Sequence, residues 1–201
     1  QFLAPNSIVG CGIEMAPEAE WSGVKAKYEL PDEYVLYLGR VSKAKVDKLL
    51  PYFLRCKAKY GGDAKLVLVG GFENEIRKFD SPDILFTGYV SDEEKTAIVR
   101  HATVMVNPSP MESLSLLMLE GMQSRIPLLV NGRSKVMKDH CRLSGAGLWY
   151  NNGRDFRKKL HRLLSDPELR RTMSEKGPAY VREHYDWEII IPKLRTLIES
   201  I

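Results

Sequence analysis

The sequence has 201 residues, of which 44% are hydrophobic, and a formal net charge of +4. This length supports one sizeable hydrophobic core but hardly two, and it contains no apolar run near the ~18–20 residues that a membrane-spanning helix needs. The mild positive charge suits an anionic ligand or an anionic membrane surface and demands neither. The three cysteines are scattered, which argues against a zinc motif and favours reduced thiols in a cytoplasmic protein.

The chain divides into three parts. Residues 1–33 are predicted to form an irregular arm that has room for one short strand. Residues 34–185 carry the patterns of a folded domain, and residues 186–201 are predicted to form a C-terminal helix that Pro192 kinks or interrupts. The sequence begins at Gln1 rather than Met, so we expect a piece of a longer protein.

Short apolar runs predict the buried strands, because β-branched and large apolar residues dominate each of them. They span residues 34–39, 64–69, 83–86, 103–107, 127–130 and 148–150. Helical patterns separate most of the runs, which predicts a parallel sheet with helices on both faces. The predicted fold class is therefore α/β, a Rossmann-like three-layer domain. The dinucleotide fingerprint G-x-G-x-x-G follows none of these strands, so a dehydrogenase is disfavoured.

Residues 108–122 carry the strongest functional pattern in the chain. Apolar residues recur there at three- and four-residue spacing, which predicts a helix that starts near Ser113. Glu112 and Glu120 would then lie on roughly the same side, about 12 Å apart at ~1.5 Å per residue. The free amides and positive dipole of a helix start suit a diphosphate, and carboxylates accept hydrogen bonds from sugar hydroxyls. The stretch therefore suits a ligand built as sugar, diphosphate and ribose.

Two cations follow the first predicted strand. Arg40 and Lys45 flank a strand-to-helix turn at the carboxyl edge of the sheet, where open α/β sheets bind their ligands. Cations are disfavoured at a helix N-terminus unless something negative arrives, so an anion is expected there. No Asp-x-Asp pair and no His, Cys or carboxylate cluster has the spacing of metal ligands, so we expect neither a metal nor another cofactor.

The spacing of Glu112 and Glu120 resembles the E-x7-E motif of retaining GT-B glycosyltransferases, in particular the large family numbered four. The matching segments are Pro108-Ser109, Glu112, Ser113-Leu114-Ser115-Leu116, Leu119-Glu120-Gly121-Met122 and Ile126-Pro127. Ser115 and Arg125 stand where that family usually has glycine.

The resemblance extends to Arg40 and Lys45, which match a family Gly-Arg followed by a Lys about five residues on. The glycine that usually follows this lysine is Val46 here, so Lys43 competes with Lys45 for the role of the phosphate-binding lysine. The residues after Gly88 are similar to those that touch the nucleotide base in the family.

The resemblance implies that the chain is the C-terminal, donor-binding half of a GT-B enzyme. The implied catalytic residues, which hold the donor sugar or neutralise the leaving diphosphate, are Glu112, Arg40 and Lys45. The residues expected to bind the donor are Gly39, Gly70, Tyr89, Val90, Ser113, Leu114, Ser115 and Glu120. Glu120 would hold the ribose hydroxyls, and residues 186–201 would pack back towards a missing N-terminal acceptor domain.

The implied reaction is the transfer of a hexose from a UDP- or GDP-sugar, with retention, to a hydroxyl of an acceptor glycan or lipid-linked sugar. Such a protein would act in cell-surface polysaccharide or glycan biosynthesis, in the cytoplasm or at the cytoplasmic face of a membrane. No nucleic-acid partner is expected. The isolated chain would bind nucleotide but would not turn over without the acceptor domain.

Other interpretations of the same residues stay open. Ser109-x-x-Glu112 is also the pattern of a capping box, and Glu120 could be a solvated helix residue. A sugar-nucleotide epimerase of GT-B architecture would also use paired acids on a helix. A non-catalytic module that binds a nucleotide sugar is a further alternative.

Overall fold

The computed structural model describes residues 10–73 and 81–199. The strands within these residues are β1 (Tyr34–Leu38), β2 (Lys65–Val69), β3 (Ile84–Gly88), β4 (Val104–Asn107), β5 (Leu128–Asn131) and β6 (Gly147–Tyr150). The helices are α1 (Trp21–Tyr28), α2 (Lys43–Val46), α3 (Leu49–Tyr60), α4 (Asp92–Arg100), α5 (Leu116–Gln123), α6 (Lys135–Ser144), α7 (Gly153–Ser165), α8 (Pro167–Tyr185) and α9 (Trp187–Glu199).

The strands form a six-stranded sheet in the order β3-β2-β1-β4-β5-β6, and each adjacent pair is parallel. The chain reverses its direction of progress across the sheet between β1 and β4, where Val35 pairs with Val104. This is the strand order of a doubly wound sheet, in which ligands bind beside the carboxyl ends of the strands at the reversal point. The predicted α/β, Rossmann-like class is confirmed.

Two hydrophobic cores lie on opposite faces of the sheet. Alternate residues of β2 separate them, since Val67 belongs to one core and Leu66 and Leu68 belong to the other. The first core takes apolar side chains from α1, α4, α5, α6 and α8, and the second takes them from α2, α3, α7 and α8. All five residues of β1 are buried. Coverage on both faces explains why the strands read as continuous apolar runs rather than as alternating ones.

The N-terminal arm contains a helix that was not predicted. The Glu20 carboxylate caps α1 by accepting hydrogen bonds from the amides of Ser22 at 2.9 Å and Gly23 at 2.7 Å. Only Val24 of α1 is fully buried, so the helix has little apolar periodicity to reveal it. Residues 10–20 are irregular. Residues 1–9, which hold most of the segment where one strand was expected, lie outside the described residues.

The C-terminal helix was predicted over residues 186–201, and α9 spans Trp187–Glu199, with residues 200–201 outside the described residues. Pro192 was expected to kink or interrupt this helix, and it does not interrupt it, because α9 continues through Pro192. The side chain of Trp187 packs close to Gly12 of the arm, and several apolar side chains of α9 are exposed. None of the described helices is both long and apolar enough to span a bilayer.

Candidate functional site: a cleft at the ends of β1 and β4

A cavity of about 500 Å³ opens at the carboxyl ends of β1 and β4. It lies at the reversal point of the strand order, where Rossmann-like sheets bind ligands. Its lining includes most of the residues selected from the sequence: Gly39, Arg40, Lys45, Glu112, Ser113, Leu114 and Ser115. Cys11 of the arm also lines it. Lys43 is not among its lining residues, so the lysine at the cavity is Lys45.

The loop after β1 is held tightly against the loop after β2. Gly39 and Gly70 have φ angles of +129° and +130°, and a Cβ on Gly70 would lie 2.3 Å from the Gly39 carbonyl oxygen. The Val41 amide donates to the Gly71 carbonyl at 2.9 Å. Glycine is required at position 70 both by backbone conformation and by space. These contacts fix the backbone that carries Arg40.

Arg40 has a carboxylate neighbour that was not predicted. The Arg40 Nη2 atom lies 3.4 Å from Glu73 Oε1, and the Lys43 amide donates to Glu73 Oε2 at 3.3 Å. The Arg40 side chain is 76% exposed, so this pair is solvent-screened and weak. The Arg40 guanidinium therefore remains accessible to solvent and to a ligand, although Glu73 lies beside it.

The loop after β4 is organised by Asn107, another residue that was not selected. Asn107 Oδ1 accepts from the Ser109 amide at 3.0 Å, and Asn107 Nδ2 donates to Ser115 Oγ at 3.1 Å. The Ser109 hydroxyl donates to the Met111 carbonyl at 2.8 Å. Ser109 and Glu112 therefore do not form the alternative capping box. A polar residue at the end of a buried strand was the signal that could have identified Asn107.

The helix after this loop starts later than predicted. Its N-cap is Ser115, which has φ +64° and ψ +71°, so α5 begins at Leu116 rather than near Ser113. Glu112 therefore lies in the loop, three positions before the cap. The left-handed backbone explains why glycine would be favoured at this position. Leu116 and Leu117, whose amides are free of intrahelical partners at a helix start, line the cavity.

Glu112 acts electrostatically on a buried tyrosine of β1. Burial and, to a smaller extent, the negative charge of Glu112 together raise the pKa of Tyr37 to about 12. The Tyr37 hydroxyl donates to the Arg40 carbonyl at 3.0 Å. Tyr37 stays protonated at neutral pH and links the Glu112 side of the cavity to the Arg40 side.

Glu120 lies apart from the cavity and is not a solvated helix residue. Its side chain is 14% exposed, and Lys95 Nζ lies 3.4 Å from each of its carboxylate oxygens. Oε2 is buried and makes no hydrogen bond within the described residues. The nearby Lys95 ammonium offsets part of the cost of burying this oxygen, and Oε2 can still accept a hydrogen bond from a ligand. Lys95, 25 positions away in sequence, was not selected.

A second cavity of about 730 Å³ adjoins the first and shares Gly39 and Arg40 with it. Gly70 and Tyr89 line this second cavity, and Tyr89 is 87% exposed. Val90, in contrast, lines neither cavity and packs against the hydrophobic core. Among the described residues, no group of three or more His, Cys, Asp or Glu side chains could hold a metal ion.

The fold and its cleft place the chain in a structural class. Anabaena HepE, solved with UDP and glucose, superposes with a TM-score of 0.73 at 13% identity, over 90% of this chain and 52% of that one. The C-terminal domain of a group 1 glycosyltransferase (LpcC) from Francisella tularensis superposes with a TM-score of 0.68 at 20% identity, over 85% of this chain and 95% of that one. The fold is that of one Rossmann-like half of a GT-B glycosyltransferase.

The sequence then gives the family. The chain belongs to the family described as glycosyl transferases group 1, which matches residues 23–180. It is 30% identical over 174 residues to alpha-D-kanosaminyltransferase from Streptomyces kanamyceticus, covering 80% of this chain and 44% of that protein. The chain spans less than half the length of this relative and of others that it matches, with shares of 36% and 39%.

Proposed function

We propose that this chain is the donor-binding half of a retaining, family-four-like glycosyltransferase, with Glu112 and Glu120 as its E-x7-E pair. The complete protein would transfer a hexose from a UDP- or GDP-sugar to a hydroxyl of an acceptor glycan or lipid-linked sugar. The products would be the glycoside, the nucleoside diphosphate and a proton. One observation carries this proposal: Arg40 and Lys45 face the same cavity as Glu112 and the segment that leads into α5.

The proposed chemistry rests on the charge that develops on the leaving diphosphate. As the bond from the anomeric carbon to the phosphate oxygen breaks, the electron pair leaves with the diphosphate. Arg40, Lys45 and the first amides of α5 would stabilise this charge from fixed positions, which is often the largest catalytic contribution. Glu112, held in the loop, would accept hydrogen bonds from the donor sugar hydroxyls.

The nucleoside end of the donor would extend from this cleft towards Tyr89 and Glu120. The exposed Tyr89 ring beside the second cavity offers a surface on which a base could stack. The buried Glu120 Oε2 lacks a hydrogen-bond donor, and a ribose hydroxyl would supply one. Because that oxygen is closed off from solvent, ribose binding requires the Glu120 side chain or its cover to move.

Calorimetric titration with UDP and GDP tests the donor site. We expect at least one of them to bind, and Arg40→Ala to weaken binding about 10- to 100-fold, since a hydrogen bond to a charged group contributes ~1.5–3 kcal/mol. Arg142→Ala is the matched control, because Arg142 is 60% exposed and pairs with Asp139 at 3.5 Å. Binding of neither nucleotide, or equal affinity in wild type and Arg40→Ala, contradicts the proposal.

The acceptor side of the cleft would be supplied by a second domain, as in other two-domain GT-B enzymes. We therefore expect the isolated chain to bind nucleotide without transferring sugar, and robust transfer by it would refute this. A longer protein would separate the alternatives. An epimerase would convert a UDP-sugar to its epimer, and a non-catalytic module would bind the nucleotide sugar without transfer, hydrolysis or isomerisation.

A further inference from the structure

A third cavity, of about 300 Å³, lies at the carboxyl ends of β5 and β6. Asn131 and Tyr150, the last residues of those two strands, both line it. It shares Lys45 and Pro108 with the cleft at β1 and β4, so the two cavities are neighbours across these residues. Neither the sequence patterns nor the proposed donor site accounts for this space.

The lining of this third cavity is strongly cationic. Lys45, Lys48 and Arg133 face it, and Asp47 is the one carboxylate among its lining residues that the structure describes. Three cations and one carboxylate leave a charge of +2. Within residues 10–73 and 81–199, none of the three cations has an ion-pair partner. The charge of the cavity is therefore available to a ligand.

The backbone that presents Arg133 is fixed by a hydrogen-bonded turn. Asn131 Nδ2 donates to the Pro108 carbonyl at 2.9 Å, and Asn131 Oδ1 accepts from the Arg133 amide at 3.1 Å. One side chain thus joins the loop after β5 to the wall between the two cavities. Burial raises the pKa of Tyr150, so its hydroxyl stays protonated and can donate a hydrogen bond.

We propose that this third cavity binds a phosphate group carried by the acceptor, a phosphorylated sugar or a lipid phosphate. Lys45 is shared with the donor cleft, so Lys48 and Arg133 against Asp47 still leave a charge of +1 when the donor diphosphate engages Lys45. A phosphate monoester, which carries about −1.5 to −2 charges at neutral pH, interacts with this positive lining more strongly than a carboxylate does. The donor diphosphate is already assigned to the neighbouring cleft. The inference rests on the proposed transferase function, because it assigns the second phosphate to the second substrate.

The test is an amide NMR titration of the whole chain at low ionic strength, with UDP saturating so that phosphate cannot occupy the donor cleft. Inorganic phosphate and glucose 6-phosphate should shift the amides of Arg133 and Asn151, and unphosphorylated glucose should not. The double variant Lys48→Gln/Arg133→Gln should weaken phosphate binding at least tenfold and leave UDP affinity unchanged. The matched control is Arg55→Gln/Lys158→Gln, which removes two exposed cations outside the cavity.

A second experiment distinguishes a phosphorylated sugar from a lipid phosphate. It measures co-sedimentation of the protein with phosphatidylcholine vesicles that contain phosphatidic acid. Binding of glucose 6-phosphate alone indicates a phosphorylated sugar, and vesicle binding lost in the double variant indicates a lipid phosphate. If phosphate shifts no amide of the cavity, or binds equally to the double variant, the proposal is overturned. If UDP fails to bind, the donor assignment fails separately, and the phosphate titration against the double variant still decides for the third cavity.

Discussion

A lysine lines a cavity at each edge of the sheet, and the two lysines differ in whether they are paired. At the amino edge, a cavity of about 220 Å³ is lined by Lys57 and by largely apolar side chains of α3. Lys57 Nζ pairs with Asp83 at 3.1 Å and donates to the Ala64 carbonyl at 3.1 Å. At the carboxyl edge, Lys45 and Arg133 line cavities without an ion-pair partner among the described residues. A cation whose bonds are satisfied supports the fold, whereas one left unpaired is available to a ligand.

The difference has a general cause in parallel sheets. Every strand points its carboxyl end to the same edge, so the helices that follow begin there and present free amides and positive dipole ends. Unpaired cations beside these positive helix ends are electrostatically disfavoured unless an anion binds there. The amino edge receives the carbonyl ends of helices, and a lysine there finds acceptors within the protein.

The largest effect is expected from the glycines of the two edges. Gly70→Ala places a Cβ 2.3 Å from the Gly39 carbonyl oxygen, whereas Gly61→Ala at the amino edge meets nothing within 4 Å, although Gly61 also has a positive φ of +69°. Backbone conformation alone costs roughly 1–3 kcal/mol. We expect Gly61→Ala to lose about that much in chemical denaturation and Gly70→Ala to lose more than roughly 4 kcal/mol or to unfold. Equal losses would contradict the close packing of the two loops.

A smaller effect on stability is expected from replacing the paired lysine of the amino edge, Lys57, than from the glycines, and a still smaller one from replacing the unpaired lysine of the carboxyl edge, Lys45. Lys57→Met leaves Asp83 and nearby carbonyls without their donor in a site where the lysine is only 15% exposed, so we expect a loss of about 1–3 kcal/mol in unfolding free energy. Lys45→Met should change stability by less than about 0.5 kcal/mol and should weaken UDP binding about tenfold. If Lys45→Met destabilises as much as Lys57→Met, the contrast between the two edges is wrong.

The carboxyl edge also contains a fully paired carboxylate, which predicts a pH dependence. A hydrogen bond from Lys27 and another from the Ser91 amide lower the pKa of Glu94 from 4.5 to about 2. Because the folded pKa is depressed, the stabilisation is present above pH 4.5 and is lost as the pH falls towards 2. We expect about 1–2 kcal/mol, after allowance for solvent screening, to disappear in Glu94→Gln at neutral pH.

The measurement is urea unfolding from pH 7 downwards. Glu94→Gln should flatten the acid limb of the stability curve, and the neighbouring exposed Glu93→Gln should leave it unchanged. A wild-type limb that Glu94→Gln does not flatten would show that the loss of stability comes from other groups.

The smallest change in stability is expected at the two ends of α5, each of which has a residue other than glycine in the left-handed backbone conformation. Arg125 follows the helix with φ +64°, and Ser115 precedes it with φ +64°. Arg125→Gly should stabilise the fold by roughly 0.5–1 kcal/mol, because glycine is the residue favoured after a helix. Ser115→Gly should gain less, because it loses the Asn107 hydrogen bond at 3.1 Å. Thermal unfolding checks both, and a larger gain from Ser115→Gly would contradict this account.

The sequence predicted the sheet and the meeting of its loops because buried strands are encoded locally. The apolar runs located β1 and β4, and the polar residues beyond them, Arg40 and Glu112, had to converge at one edge. The start of α5 was missed because a serine in the sequence gives no signal that its backbone is left-handed. The environment of Glu120 was missed because its partner, Lys95 of α4, is distant in sequence and is brought to it only by the tertiary fold.

The three thiols of this protein differ in solvent exposure, so one of them can be labelled selectively for spectroscopy. Cys56 and Cys141 are buried, and burial raises the pKa of both thiols, that of Cys141 to about 12. Cys11 is partly exposed on the wall of the cleft. A maleimide dye would therefore attach at Cys11 without any engineered cysteine, because alkylation requires an accessible thiolate. Its emission would report the arrival of a nucleotide in the cleft in real time.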